Sequence, residues 1–142
     1  MRLKATAHPQ STGKVLDDLY SSDPEELPYV YTIIKHIANL GGHPQPPQAK
    51  RLSHMGDPNL CELRPNINRE RLLRIYYFVS PEEDAMILLN AIIKPDGHNL
   101  PARYEGNSGH RLKRDIKESI QLALSLKKEY PLSKNKYEPL AI

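Results

Sequence analysis

The stretch Arg71-Leu-Leu-Arg74-Ile-Tyr-Tyr-Phe-Val79-Ser-Pro-Glu-Glu-Asp-Ala85-Met-Ile-Leu-Leu-Asn90-Ala-Ile-Ile-Lys94 decides the fold. Two runs dense in aliphatic, β-branched and aromatic residues flank Ser80-Pro81-Glu82-Glu83, a gap too short for a crossover helix, so the runs pair antiparallel. The second run, Ala85 to Lys94, is apolar at successive positions, as in a strand covered on both faces, and is placed centrally. Leu60 to Arg64 reads as a third strand, joined through Pro65-Asn66-Ile67-Asn68 into a meander.

Outward from the meander, a polar, glycine-bearing loop from Pro95 to Gly109 leads into Leu112, Ile116, Ile120, Ala123 and Leu124, a helical stripe expected to stop before Pro131. On the other side, Gly56-Asp57-Pro58 is a turn and His43 to Gln48, with its prolines, is a connector that cannot be helical. Val30, Ile33, Ile34, Ile37 and Ala38 recur at the spacing of one helix face, with Gly41-Gly42 as the stop and a start near Pro28. Ser11 or Thr12 can cap a shorter helix carrying Val15, Leu16, Leu19 and Tyr20, and Arg2 to His8 is a candidate short strand. The expected fold is therefore α+β: a small, mostly antiparallel sheet of about four strands, an N-terminal helical hairpin and a C-terminal helix. Residues 1–131 form the expected domain, and 132–142 a poorly ordered tail with little to pack against.

At 142 residues, 39% hydrophobic and 26% charged, the chain has a foldable composition that excludes collagen-like and wholly disordered classes. No apolar run reaches bilayer length, and the start lacks the anatomy of a secretory leader, so no membrane and a cytoplasmic location are expected. The lone Cys61 excludes an internal disulfide and a thiolate zinc cage, and sits in a strand-like run as a core residue. His8, His36, His43 and His54 show no ligand spacing, so no metal is expected. The net charge of +3 permits a polyanionic partner without requiring one. Basic residues concentrate in Arg64, Arg69, Arg71 and Arg74, and again in His110, Arg111, Lys113, Arg114 and Lys117.

Glu62-Leu63-Arg64, then Arg74-Ile75-Tyr76-Tyr77-Phe78, then Ile87-Leu88-Leu89 with Lys94 after them, follow one another in an order that resembles the RelE/ParE toxin superfamily, especially its HigB-like, phage-derived branch. The resemblance spans most of Arg2 to Tyr130. Where that branch carries a histidine near the end of the last strand, this chain has Asn90. The resemblance implies a ribosome-dependent messenger RNA endoribonuclease, without cofactor, that uses the ribose 2′-hydroxyl as nucleophile and is silenced by an antitoxin protein. It implies phosphate binding and charge stabilisation by Arg74 and Arg64, guanidinium forks being suited to phosphate oxygens, with Lys94 as a further cation.

For proton transfer the sequence offers His98 first, then His110 and Tyr104, with Glu62 as a weaker base. RNA contacts are expected from Arg69, Arg71, His110, Arg111, Lys113 and Arg114, and from Tyr76 if its ring stacks a base. The plain alternatives are salt-bridged strand arginines and a solvated helix face relieved by Asp115 and Glu118. Two functional alternatives share the fold: a ParE-like gyrase inhibitor and a nucleic-acid-binding module without catalysis.

Overall fold

The computed structural model describes residues 3–52, 56–65, 71–95 and 108–142. In chain order these form β1 (Lys4–Ala7), α1 (Thr12–Ser22), α2 (Leu27–Asn39), β2 (Ala49–Arg51), β3 (Cys61–Leu63), β4 (Arg71–Ser80), β5 (Ala85–Pro95), α3 (Ser108–Ser133) and β6 (Glu138–Pro139). The strands make one six-stranded sheet in the order β2-β3-β4-β5-β1-β6. β3, β4 and β5 are the antiparallel meander, and β5 lies inside the sheet. The expected count of about four strands is corrected to six, and the sheet is mixed because β1 runs parallel to β5. β2 and β6 escaped the sequence reading because they have only three and two residues. Neither is long enough to show a period of two.

The sheet is covered on both sides. α1 and α2 bury Leu16, Leu19, Val30, Ile34 and Ile37 against Leu63, Leu73, Ile75, Tyr77, Met86 and Leu88. α3 lays Ile120, Ala123 and Tyr130 over Tyr76, Ile87 and Leu89 on the opposite face. Ser11 stands at the N-cap of α1, but its side chain makes no capping hydrogen bond. α2 begins at Leu27 with Pro28 in its first turn, where the missing N–H costs nothing, and it stops at Gly41 and Gly42, whose φ angles are 71° and 78°.

Two elements depart from expectation at the C-terminus. α3 runs through Pro131 to Ser133. Proline forfeits one N–H there, in the last turn, where Ser133 Oγ donates to the Glu129 carbonyl at 3.1 Å. Residues 132–142, expected to have little to pack against, instead supply β6, which pairs with β1, and Tyr137, which is buried. The Tyr137 ring meets Tyr130 and His8 edge-on at 5.0 and 5.2 Å.

Candidate functional site

In a strand, alternate residues share a face, and residues directly opposite on neighbouring strands lie side by side. Lys50 of β2 is opposite Glu62 of β3, Glu62 is opposite Tyr76 of β4, and Tyr76 is opposite Asn90 of β5. A polar row thus crosses four strands on the face covered by α3. Asn90 reaches it through an irregularity in the pairing of β4 with β5. Tyr76 opposes Asn90 but Tyr77 opposes Leu88, so Leu89 is the extra residue. This bulge brings both Leu89 and Asn90 toward α3. The Asn90 side chain then donates to the Ser119 carbonyl at 3.0 Å, and the Tyr76 and Ser119 hydroxyls pair at 2.9 Å. α3 is thereby fixed to the sheet by hydrogen bonds as well as by its apolar stripe.

Beside this row lie the two arginines. Arg64 follows Glu62 on the same face by period two, and Arg74 precedes Tyr76 likewise. Although β3 ends at Leu63, the Arg64 N–H donates to the Gln48 carbonyl at 2.7 Å and keeps the chain in line. Arg64 Nε donates to Glu62 Oε1, and Arg74 Nε lies 3.7 Å from the same oxygen. The Glu62 side chain is only 3% exposed, against 19% for Arg74 and 36% for Arg64. One buried carboxylate therefore orients two guanidiniums from neighbouring strands, and both retain some solvent contact. Arg74 Nη1 also donates to the Leu73 carbonyl at 3.1 Å.

Other expected residues divide. Lys94 lies opposite Leu72 at the end of β5, and Arg71 opens β4 opposite Pro95, so both backbones belong to the strand ends nearest Arg64 and Arg74. His110 and Arg111 lie in the first turn of α3, and Lys113 and Arg114 follow as exposed residues. Arg114 is held loosely at 4.0 Å by Glu118. Arg69, His98 and Tyr104 lie outside the described residues, as does His54. Tyr76 is corrected: it is completely buried, so its ring does not offer a face to a base. Burial, reinforced by the Glu62 charge and opposed by the Ser119 hydroxyl, pushes its phenol up to about 12, which makes it a fixed donor and not a proton shuttle near neutrality. Cys61 is buried as expected, and burial pushes its thiol up, away from thiolate chemistry.

The sequence offers Glu62 no role beyond that of a weaker base, and it does not announce Lys50, Asn90 and Ser119 as members of one array. The period-two placement of Glu62 with Arg64 and of Arg74 with Tyr76 was the available signal. Nothing local announced the bulge. Among the described residues no group of three or more histidine, cysteine or acidic side chains is arranged to hold a metal ion, and no helix is long and apolar enough to cross a membrane. At the opposite end of the sheet, a concavity of about 710 Å³ opens between the Gly41–His43 loop and the C-terminal part of α3.

Fold and site together define an α+β protein with an arginine pair organised on one face of a mixed sheet. Compared with protein-family models, curated proteins and solved structures, the chain matches none.

Proposed function

We propose that the chain is a RelE/HigB-type toxin, a metal-free endoribonuclease that cleaves messenger RNA on the ribosome in the cytoplasm and is neutralised by an antitoxin protein. The observation that supports this most directly is the convergence of Arg64 and Arg74 on Glu62, toward the end of the sheet where β5 reaches Lys94. Oriented guanidiniums suit the transition state of this reaction. The ribose 2′-oxygen attacks its own 3′-phosphate, the 5′-oxygen of the next nucleotide leaves, and a 2′,3′-cyclic phosphate remains. Negative charge builds on the phosphoryl oxygens, where donors held in advance do most for the rate. In this reading Arg74 and Arg64 hold that charge, Lys94 adds to it, and Glu62 positions both arginines. The proton leaving the 2′-hydroxyl goes to a base, for which His98 is the first candidate, and the leaving oxygen takes a proton from an acid.

Brief expression followed by primer extension on cellular messages tests the reading. Discrete cuts that depend on ribosomes and disappear with Arg74→Ala are expected. A DNA-damage response without cuts would favour the ParE-like alternative. Neither effect, with no neutralising partner, would leave a binding module. Purified protein is expected to keep cutting in chelator at concentrations that leave ribosomes intact.

A further inference from the structure

β4 is longer than its neighbour. Cys61 opposes Tyr77 at the start of β3, yet β4 continues through Phe78, Val79 and Ser80. β3 does not follow it because the chain turns away at Leu60, whose N–H donates to the Asp57 carbonyl, while the Asn59 N–H is taken by Asp57 Oδ1 at 2.9 Å. Hydrogen bonds fix which way the remaining β4 groups point. Leu52 N–H bonds Leu60 O and Arg64 N–H bonds Gln48 O, so even-numbered residues of β3 address β2 and odd ones address β4. Cys61 and Tyr77 are therefore a bonded pair, and two residues on, the N–H and C=O of Val79 point to the same side. Among the described residues no strand lies there.

What lies there is the concavity, of about 710 Å³, lined by Val79 itself. One wall is the Gly41–His43 loop, pinned by the Tyr77 hydroxyl donating to the Gly42 carbonyl at 2.9 Å. A Cβ at Gly42 would stand 2.3 Å from Val79 Cγ2 and its φ is +78°, so only glycine lets the loop sit this close. The other wall is α3, where Tyr130 is locked edge-on to Phe78 at 5.3 Å and Lys127 sits over the Phe78 ring. Arg51, Lys127 and Lys134 line the cleft with Glu82 as the one acidic residue of the lining; just behind it Asp57 shares the charge of Lys127, and Glu83, which accepts from Ser80 and Tyr130, shares part of that of Lys134.

We propose that this cleft binds an extended acidic peptide segment of a protein partner, which adds as a short strand to the uncovered edge of β4 at Val79 and places its carboxylates toward Arg51, Lys127 and Lys134. An exposed strand edge offers main-chain hydrogen bonds to any extended chain, and the flanking charges choose which. Val79 lies about 17 Å along β4 from Arg74, at 3.3 Å per residue, so occupancy does not require the arginine site. The proposal stands independently of the nuclease reading.

Amide hydrogen exchange read by NMR tests it on the full chain, with the peptide acetyl-Glu-Val-Glu-Val-Glu-amide as probe and acetyl-Lys-Val-Lys-Val-Lys-amide as its counterpart. Val79 is expected to exchange quickly in the free protein and at least tenfold more slowly with saturating acidic peptide, while the basic peptide changes nothing. Lys134→Glu, at an exposed position, is expected to weaken the acidic peptide at least tenfold with the rest of the exchange pattern unchanged. A Val79 amide already protected in the free protein would overturn the proposal. So would equal binding of both peptides, shifts confined to the Arg64 and Arg74 face, or displacement of the peptide from the cleft by oligouridine.

Discussion

On the side turned toward α1 and α2, β4 and β5 set down Leu73, Ile75, Met86 and Leu88, and the only hydroxyl there, on Tyr77, has a carbonyl to bond. On the side under α3, the same two strands set down Arg74, Tyr76 and Asn90, and β3 adds Glu62. The first arrangement is what hydrophobic burial alone selects. The second carries a desolvation cost that hydrogen bonds only offset, since a made bond nets about 0.5–1.5 kcal/mol and a buried carboxylate is weak evidence for stability. Strands that could have been apolar on both faces are polar on one. That difference separates a face held by apolar packing from one that, beside its own apolar cluster, orients two arginines, and substitutions on each face should report it differently.

The largest effect is expected on the apolar face. Tyr77→Ala removes a fully buried ring and the bond that pins Gly42, and should cost about 3–5 kcal/mol in urea denaturation. A loss under about 1 kcal/mol would mean that the face collapses freely around the hole, contrary to close packing.

Arg74→Ala is expected to spare cooperative unfolding while lowering RNA cleavage about 10²–10³-fold, about 2.7–4 kcal/mol in the barrier, the usual loss when one positioned donor to a developing oxyanion is removed. Full cleavage by a folded Arg74→Ala protein takes the residue out of the site. Glu62→Gln sharpens the same point. If Glu62 acts by positioning, cleavage falls with the shape of its pH profile unchanged, whereas loss of a limb from that profile would make it a base.

Asn90→Leu exchanges one member of the polar row for a side chain of the opposite face. It removes the donor to the Ser119 carbonyl and should cost about 1–3 kcal/mol. A stabilised Asn90→Leu protein would show that the row is dispensable for docking α3.

The two faces were not equally legible in the sequence. Ile75, Tyr77, Met86 and Leu88 announce their strands by composition, because burial rewards residue type wherever it falls. Glu62, Arg64, Arg74 and Tyr76 could be assigned to faces by period two, and the resemblance already drew attention to the arginines. Asn90 could not be assigned, since the bulge at Leu89 inverts the parity of everything after it, and a bulge is a property of two paired strands. Lys50 and the cleft were hidden for the same reason: both depend on where β2 and β3 begin and end, which is set by the Asp57 turn and not by the strands themselves.

The smallest effect belongs to that turn and shows at acid pH. Asp57 lies 2.7 Å from Lys127, with both side chains about one quarter to one fifth exposed, at 24% and 21%. Burial works to raise its carboxyl, but the Lys127 hydrogen bond, the Asn59 N–H and the Lys127 charge outweigh it and hold the group below its ordinary value of 3.8. A carboxyl depressed in the folded state binds fewer protons there than in the unfolded chain, so its contribution is full above the ordinary value and fades as pH falls through the depressed one. Asp57→Asn should therefore leave stability at pH 7 lower by under about 1 kcal/mol, the scale of a partly screened pair, and flatten the loss of stability below about pH 4. Because Lys127 lines the cleft, the same variant releases its ammonium and should tighten the acidic peptide at pH 7. If peptide affinity instead falls, Asp57 serves chiefly to hold Lys127 in place over Phe78, and the turn is part of the cleft's wall.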